Sequence, residues 1–211
     1  MILISCENRE EKIQTAIASE LKGVLYDFDS YEPIKTNIDS AFFSPSIDPE
    51  IKELVLALEK PILDFHKAKE DYAYATSIAA IYSGSYSSPF TQQQKNQAIS
   101  KRNAAEKSIE FNRNQIKTIL KELCIRIRED KPKENEYVGW FVTQRYKCKT
   151  GGGYPTFGDA VFVFNSDITE CLFFMQNEEY ELLCNLVKVI SLIPEEELLN
   201  KIEESDLSDL I

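Results

Sequence analysis

The sequence predicts an α+β domain in which an antiparallel β-meander packs with N- and C-terminal helices and carries a long inserted helical hairpin. Two long stretches between residues 48 and 130 keep a helical apolar period. Three short segments between residues 137 and 176 have the alternating or wholly apolar pattern of strands. At 211 residues the chain is also long enough to bury a core of its own.

The first elements are predicted to be a helix and an extended segment. Residues 7–25 have apolar side chains at helical spacing. The following YDFDSYEP is rich in aromatic and turn-forming residues, so we expect a turn there and then an extended segment from about Ile34 to Phe43. The helical stripe consists of Ile13, Ile17, Leu21, Val24 and Leu25.

Residues 48–130 are predicted to form a hairpin of two antiparallel helices. Asp48 is a favourable N-cap followed by a first-turn proline, and Pro61 is expected to kink the first helix. The second helix runs from about Thr91 to Glu129, with the 4,3 apolar rhythm of a coiled coil. Its packing positions become small and polar toward the connecting SGSYSSPF loop. The hairpin tip is therefore one candidate contact surface.

Beyond residue 136 the sequence has the residue pattern of β-strands. YVGWFVTQRYKCK alternates apolar and polar residues, whereas DAVFVFN and CLFFMQ are apolar on both faces, as in central strands. Asn165–Asp167 is predicted to be a short hairpin turn, and NEEYELLCNLVKVISLI a helix. The predicted core consists of Trp140, Val142, Val161, Phe162, Val163, Phe164, Leu172, Phe173 and Phe174, with the helix stripes.

These elements divide the chain into an α+β domain made of residues 7–47 and 131–193, the hairpin of residues 48–130, and an acidic tail of residues 194–211. The tail is either a last helix or a frayed terminus.

Charge distribution argues against nucleic-acid binding. The net charge is −11, although residues 101–149 carry +6. In that basic stretch Lys and Arg alternate with Glu, as on a solvated helix with i,i+4 pairs, and the overall acidity repels a polyanion.

The glycine run in CKTGGGYPTFGDA does not fit a phosphate-binding loop. Such a loop needs its Lys and Ser or Thr after the glycines and a helix beyond them, whereas here Lys149 and Thr150 precede the glycines and a strand follows. A flexible β–β connection with an aromatic border is the better interpretation. The candidate contact loop consists of Gly151, Gly152, Gly153, Tyr154 and Phe157.

Residue types for catalysis and metal binding are sparse, so we predict a non-catalytic protein without a metal or other cofactor. His66 is the one histidine, and it lies in a predicted helix. Closely spaced cysteine pairs, as in zinc sites, do not occur. Cys124, Cys148, Cys171 and Cys184 could equally be buried thiols or form two disulfides, and a Cys148–Cys171 pair is geometrically plausible if their strands are neighbours.

At the N-terminus, Leu3-Ile4-Ser5-Cys6 followed at once by polar ENREE resembles the lipobox of bacterial lipoproteins. With the DFDSYEP segment and the late Trp-bearing strand, the chain resembles small cell-envelope lipoproteins of unknown function. That resemblance implies cleavage before Cys6, acylation of Cys6 and a membrane anchor outside the cytoplasm. Residues 1–6 would then be the remnant of a signal peptide, the rest of which lies upstream of Met1.

The leading hypothesis is therefore a non-catalytic, lipid-anchored envelope protein that faces the periplasm or the cell surface. It would bind an unknown protein partner through the hairpin tip or the glycine loop. The alternative is a cytoplasmic interaction module whose acidic tail docks on a basic partner.

Overall fold

The computed structural model describes residues 9–84 and 88–204, and it confirms the α+β fold with an antiparallel sheet and an inserted helical hairpin. Two short 3-10 helices, Pro45–Ile47 and Lys131–Lys133, flank the hairpin. The described helices are α1 (Arg9–Lys22), α2 (Pro49–Ser83), α3 (Pro89–Asp130), α4 (Asn177–Leu192) and α5 (Glu195–Glu204). The strands are β1 (Asp27–Phe42), β2 (Tyr137–Lys149), β3 (Pro155–Asn165) and β4 (Cys171–Gln176).

The four strands form one antiparallel sheet in the order β1-β2-β3-β4. The registers place Ile38 opposite Val142, Val142 opposite Phe162, and Phe162 opposite Phe174. Directly opposite residues point to the same face, so these apolar side chains form one row across the sheet. The helical hairpin is inserted between the neighbouring strands β1 and β2.

Strand β1 begins earlier than the sequence predicts. The segment expected to be a turn belongs to the strand, and the pairing with β2 absorbs it as an irregularity between Asp27 and Glu32. Ser30 holds this irregularity: its hydroxyl donates to the Asp27 carbonyl (2.7 Å) and accepts from the Lys149 N–H (2.8 Å). The turn-forming residues therefore make a bulge in a strand, because pairing with β2 outweighs their local preference.

Helix α1 covers one face of the sheet. Its Ile13, Ile17 and Leu21 are fully buried against the even-numbered residues of β2 and β3. On the opposite face Tyr180 of α4 makes ring contacts with Phe141 (5.9 Å) and Phe173 (5.8 Å). The core under α1 consists of Ile13, Ile17, Leu21, Val142, Tyr146, Cys148, Ala160, Phe162 and Phe164.

Gly139 in β2 allows an unusually close backbone approach. Its φ of 145° is rarely adopted by residues with a side chain, and a Cβ there would lie 2.0 Å from the carbonyl oxygen of Phe164. Only glycine therefore fits this position of the β2–β3 pairing.

The described chain divides into two compact units. The sheet unit contains residues 9–52 and 127–189, and the hairpin unit contains residues 53–84, 88–126 and 190–204. Within the tail, α5 follows Pro194 and buries Leu198, so residues 195–204 form a last helix, one of the two alternatives for the tail.

In the hairpin unit, α2 and α3 bury a seam in which alanines occur together with larger apolar side chains. At the start of α2 the carboxylate of Asp48 accepts a hydrogen bond from the Glu50 N–H (2.6 Å), so it caps the helix as predicted. Helix α2 continues through Pro61. The buried seam consists of Leu58, Pro61, Phe65, Ala68, Ala75 and Ala79 on α2, and Ala98, Ala105, Asn112, Ile116, Leu120, Leu123 and Cys124 on α3.

Candidate functional site

The glycine loop joins β2 to β3 as a closed, hydrogen-bonded turn. The Thr150 N–H donates to the Tyr154 carbonyl (2.9 Å), and the Gly153 N–H donates to the Thr150 carbonyl (2.8 Å). Gly153 has a φ of 79°, in the left-handed region that glycine adopts readily. The loop therefore has a defined shape, and its glycines serve the tight turn and close packing.

Exposed aromatic side chains border this turn. Tyr26, Tyr154 and Phe157, here called the aromatic rim, are 82%, 74% and 61% exposed. The ring of Tyr26 lies over Gly151, 3.5 Å from where a Cβ would be, and the ring of Tyr154 lies over Gly152. Isolated exposed aromatics are ordinary, but three at one end of a sheet on a hydrogen-bonded turn are typical of a contact surface.

A row of cationic side chains lies next to Phe157 on the sheet face away from α1. This cationic row consists of Lys35, Arg145, Lys147 and Lys149, and the register places Lys35 opposite Arg145. The Arg145 guanidinium is 5.7 Å from the centroid of the Phe157 ring. Lys147 lies 3.7 Å from a carboxylate oxygen of Glu32, whereas Lys35, Arg145 and Lys149 form no ion pair within the described part of the chain.

One buried aromatic ring and two partly buried ones pack together on the α1 face of the sheet, next to the glycine loop. Tyr146 is only 3% exposed, and its ring occupies the space that a Cβ on Gly158 would need. Tyr31 packs on Tyr146 (5.8 Å) and Phe28 stacks on Tyr31 (5.6 Å). Burial raises the pKa of Tyr146, although a hydrogen bond to Gln176 partly offsets this, so its phenol stays neutral under ordinary conditions.

A second concave feature lies between α1 and the β3–β4 connection. This cleft of about 390 Å³ is lined by Ser19 and Glu20 of α1 and by Thr169 and Cys171. The connection is longer than the turn predicted at Asn165–Asp167, and Ile168 in it has a φ of 60°, which is rare for a β-branched residue. Asn165 holds the connection by accepting from the Thr169 N–H (2.8 Å).

The cysteines correct one expectation. Cys148 and Cys171 lie on β2 and β4, which β3 separates, so their strands are not neighbours and the suggested disulfide is not formed. Within the described residues, no disulfide joins any of Cys124, Cys148, Cys171 and Cys184. Burial, reinforced by the nearby Glu20 carboxylate, raises the pKa of Cys171 to about 12, so this thiol is neutral at physiological pH.

The other candidate residues lie elsewhere. His66 is on α2 of the hairpin unit, where its ring contacts that of Phe65 (5.9 Å). Among residues 9–84 and 88–204, no group of three His, Cys, Asp or Glu side chains is placed to hold a metal ion. Cys6 and the hairpin-tip residues 85–87 lie outside the described residues.

Sequence reasoning missed Tyr26 as a member of the site. It follows the C-terminal turn of α1, and no local pattern connects it with a loop more than 120 residues away. Pairing of Asp27 with Lys149 is what brings it to Gly151.

No protein-family model, no curated protein and no solved structure matches this chain. Within the described residues, none of the helices combines the length and apolar character that a membrane span requires.

Proposed function

We propose that the protein is a non-catalytic binding protein that contacts a protein partner through the aromatic rim and the neighbouring cationic row. The observation that carries this proposal is the set of three exposed aromatic side chains around a hydrogen-bonded glycine turn. Tyrosine provides a large contact area at low entropic cost, and such residues often dominate binding energy.

Charge indicates which part of a partner fits. Lys35, Arg145 and Lys149 lie on the same sheet face as Phe157 and form no ion pair within the described residues. In the strand register Asp159 lies opposite Arg145 and Asp27 lies opposite Lys149, so these carboxylates offset part of the positive charge. A partner segment with carboxylates beside apolar or aromatic groups would pair with the cations and cover the rim.

The neutral thiols of Cys148 and Cys171 also support a binding role, because cysteine catalysis requires a thiolate.

The binding role can be tested by site-specific photo-crosslinking in the cells that naturally produce the protein. A photoreactive phenylalanine at Tyr154 should give one discrete adduct whose protein component is identified by mass spectrometry. The same group at Leu182, exposed on α4 of the same unit, is the matched control and should not give that adduct.

Charge reversal then tests the chemistry of the contact. Combining Arg145→Glu with Lys149→Glu should reduce the Tyr154 adduct at least about tenfold, because both cations would be replaced by repulsive charges. Absence of a discrete adduct at Tyr154, or an adduct that survives both reversals, would contradict the proposal.

We also propose that lipid on Cys6 holds this binding protein at the membrane of the cell envelope. Support comes from Leu3-Ile4-Ser5-Cys6 and the polar segment after it. Expressed from its own locus with the upstream sequence intact, the protein should incorporate labelled palmitate. Cys6→Ala should lose the label, whereas Cys184→Ala should keep it. An unlabelled protein in the cytoplasmic fraction would instead favour the cytoplasmic interaction module.

A further inference from the structure

A groove runs along one exposed face of the hairpin unit between α2 and α3. It consists of two clefts of about 830 and 730 Å³ that share Asp64, Phe111 and Asn112. One cleft extends from there toward Leu56, and the other extends toward Tyr74. We call this continuous surface the hairpin groove.

Large apolar side chains stand at the middle and at both ends of the hairpin groove. Phe111, in the middle, is 61% exposed, and Leu56 and Tyr74, at the ends, are 40% and 65% exposed. The seam buried between the two helices contains several alanines, so the hairpin places larger apolar groups outside than at many of its packed positions. Rows of exposed apolar residues with polar neighbours mark interaction surfaces.

Six charged side chains also line the groove. They are Lys60, Asp64, Lys67, Asp71, Lys101 and Glu122. All six are exposed, and none forms an ion pair within the described part of the chain, although two of the α2 pairs have helical i,i+4 spacing. These charges are available to a partner.

Their order along each helix is self-complementary. On α2, Lys60 and Asp71 are equally far from a point between Phe65 and His66, and Asp64 and Lys67 are equally far from the same point. Each symmetric position therefore carries the opposite charge. Leu56 and Tyr74 are nearly symmetric about that point as well.

Helix α3 repeats this arrangement at the same level of the groove. Lys101 and Glu122 are equally far from a point between Phe111 and Asn112. Asp64 shares both clefts with Phe111 and Asn112, so the centres on the two helices lie side by side across the groove. A twofold axis that crosses both helices there pairs each of these cations with an anion.

We propose that two copies of this chain form a twofold symmetric dimer through their hairpin grooves. In it α2 lies antiparallel to α2 of the second copy, and α3 antiparallel to α3. Lys60 faces Asp71, Asp64 faces Lys67 and Lys101 faces Glu122 of the opposite copy, and each pair occurs twice. The two Phe111 rings meet near the axis, where the residues that dominate binding energy usually lie.

The size of the hairpin groove determines the expected affinity of the dimer. The groove from Leu56 to Tyr74 is roughly 27 Å long at 1.5 Å per residue, and two helices are about 20 Å wide. Such a dimer buries about 1,100 Å² in total, near the lower end of stable interfaces. It should therefore dissociate on dilution and respond to single substitutions. This dimer does not depend on the aromatic rim.

Charge exchange in the groove tests the proposal, with the monomer–dimer equilibrium measured by sedimentation velocity over a wide range of protein concentration. Asp64→Lys or Lys67→Asp alone should raise the dimer Kd roughly tenfold or more, because each creates two like-charge contacts by symmetry. Asp64→Lys combined with Lys67→Asp should restore the Kd to within about threefold of the original.

Phe111→Asp should abolish the dimer, whereas Phe90→Asp, at an equally exposed aromatic of α3 outside the groove, should leave it intact. Far-UV circular dichroism of each variant as a monomer verifies that the helices are retained. The proposal is overturned if the unmodified protein stays monomeric up to millimolar concentration. It is equally overturned if Phe111→Asp still dimerises, or if the double charge exchange fails to recover the affinity.

Discussion

The sheet unit and the hairpin unit bury different kinds of side chain. The sheet unit encloses phenylalanines, valine and isoleucines between α1 and the strands. The hairpin unit buries many alanines and leaves Leu63, Tyr74, Ile81, Phe90 and Phe111 more than half exposed. Because apolar burial contributes about 25 cal/mol per Å², large buried rings stabilise the sheet unit more per residue. The two units therefore differ in what they bury, whereas both keep large apolar side chains exposed, since the aromatic rim belongs to the sheet unit.

The largest expected effect is that of Phe162→Ala in the sheet unit. Phe162 is fully buried and stacks on Phe164 (5.9 Å) and Phe174 (4.9 Å). Its truncation should reduce the free energy of unfolding by about 3–5 kcal/mol. Phe111→Ala, on the exposed face of the hairpin, should change the free energy of unfolding of the monomer by less than about 0.5 kcal/mol.

Urea unfolding measures both substitutions, with the fluorescence of Trp140 reporting the sheet unit and far-UV circular dichroism reporting the helices. Equal losses of unfolding free energy for Phe162→Ala and Phe111→Ala would contradict the proposed difference between the two units.

The next largest difference in the free energy of unfolding is expected between two glycine substitutions with different backbone geometry. Gly139→Ala in β2 should cost about 1–3 kcal/mol from its φ of 145°, and more from the clash with the Phe164 carbonyl. Gly84→Ala, at the end of α2, meets no atom within 4 Å and should be nearly neutral. Thermal unfolding of the two variants side by side would sharpen the contrast, and a neutral Gly139→Ala would contradict it.

Alkaline pH should weaken the sheet unit through Cys171. Burial raises the pKa of this thiol to about 12, above its ordinary value, so the unfolded chain loses the proton first. The stabilisation is complete below about pH 9 and is lost as pH rises toward 12. Cys171→Ala should therefore make the free energy of unfolding less dependent on pH between 9 and 11. An unchanged slope would show that the thiol is not protected by burial.

The smallest expected effect belongs to the exposed ion pair of Lys147 and Glu32. Its atoms are 3.7 Å apart and both side chains are largely solvated, at 45% and 69% exposure. Glu32→Ala should therefore change the free energy of unfolding by no more than about 0.5 kcal/mol, and less at high salt. A loss as large as that of Gly139→Ala would mean that surface charge, rather than packing, governs this edge of the sheet.

Strands β2 to β4 could be predicted from the sequence because their alternation or apolar runs directly reflect burial. Strand β1 could be predicted only in part, since Ser30 and Pro33 favour turns and only pairing with β2 reveals that they belong to a strand. The helices follow from their period and from the cap at Asp48.

The candidate surfaces were less predictable than the fold. The glycine loop was visible as a β–β connection, but Tyr26 joins it only through strand pairing. In the hairpin, the sequence shows charges at Lys60 and Asp71. It does not show which helix face stays exposed, because that depends on which side chains the two helices bury against each other.

Placing the hairpin between neighbouring strands also bears on how the chain folds. The 94 residues from 43 to 136 separate β1 from β2, and closing so long a loop carries an entropic cost that rises with its length. A helical hairpin forms from local contacts on a fast timescale and brings its two ends together. If it forms first, the flexible part shortens to roughly a dozen residues, a difference worth about 2 kcal/mol. The preformed hairpin would then speed the pairing of β1 with β2 during folding. Substitutions that unfold the hairpin should slow sheet formation about tenfold or more.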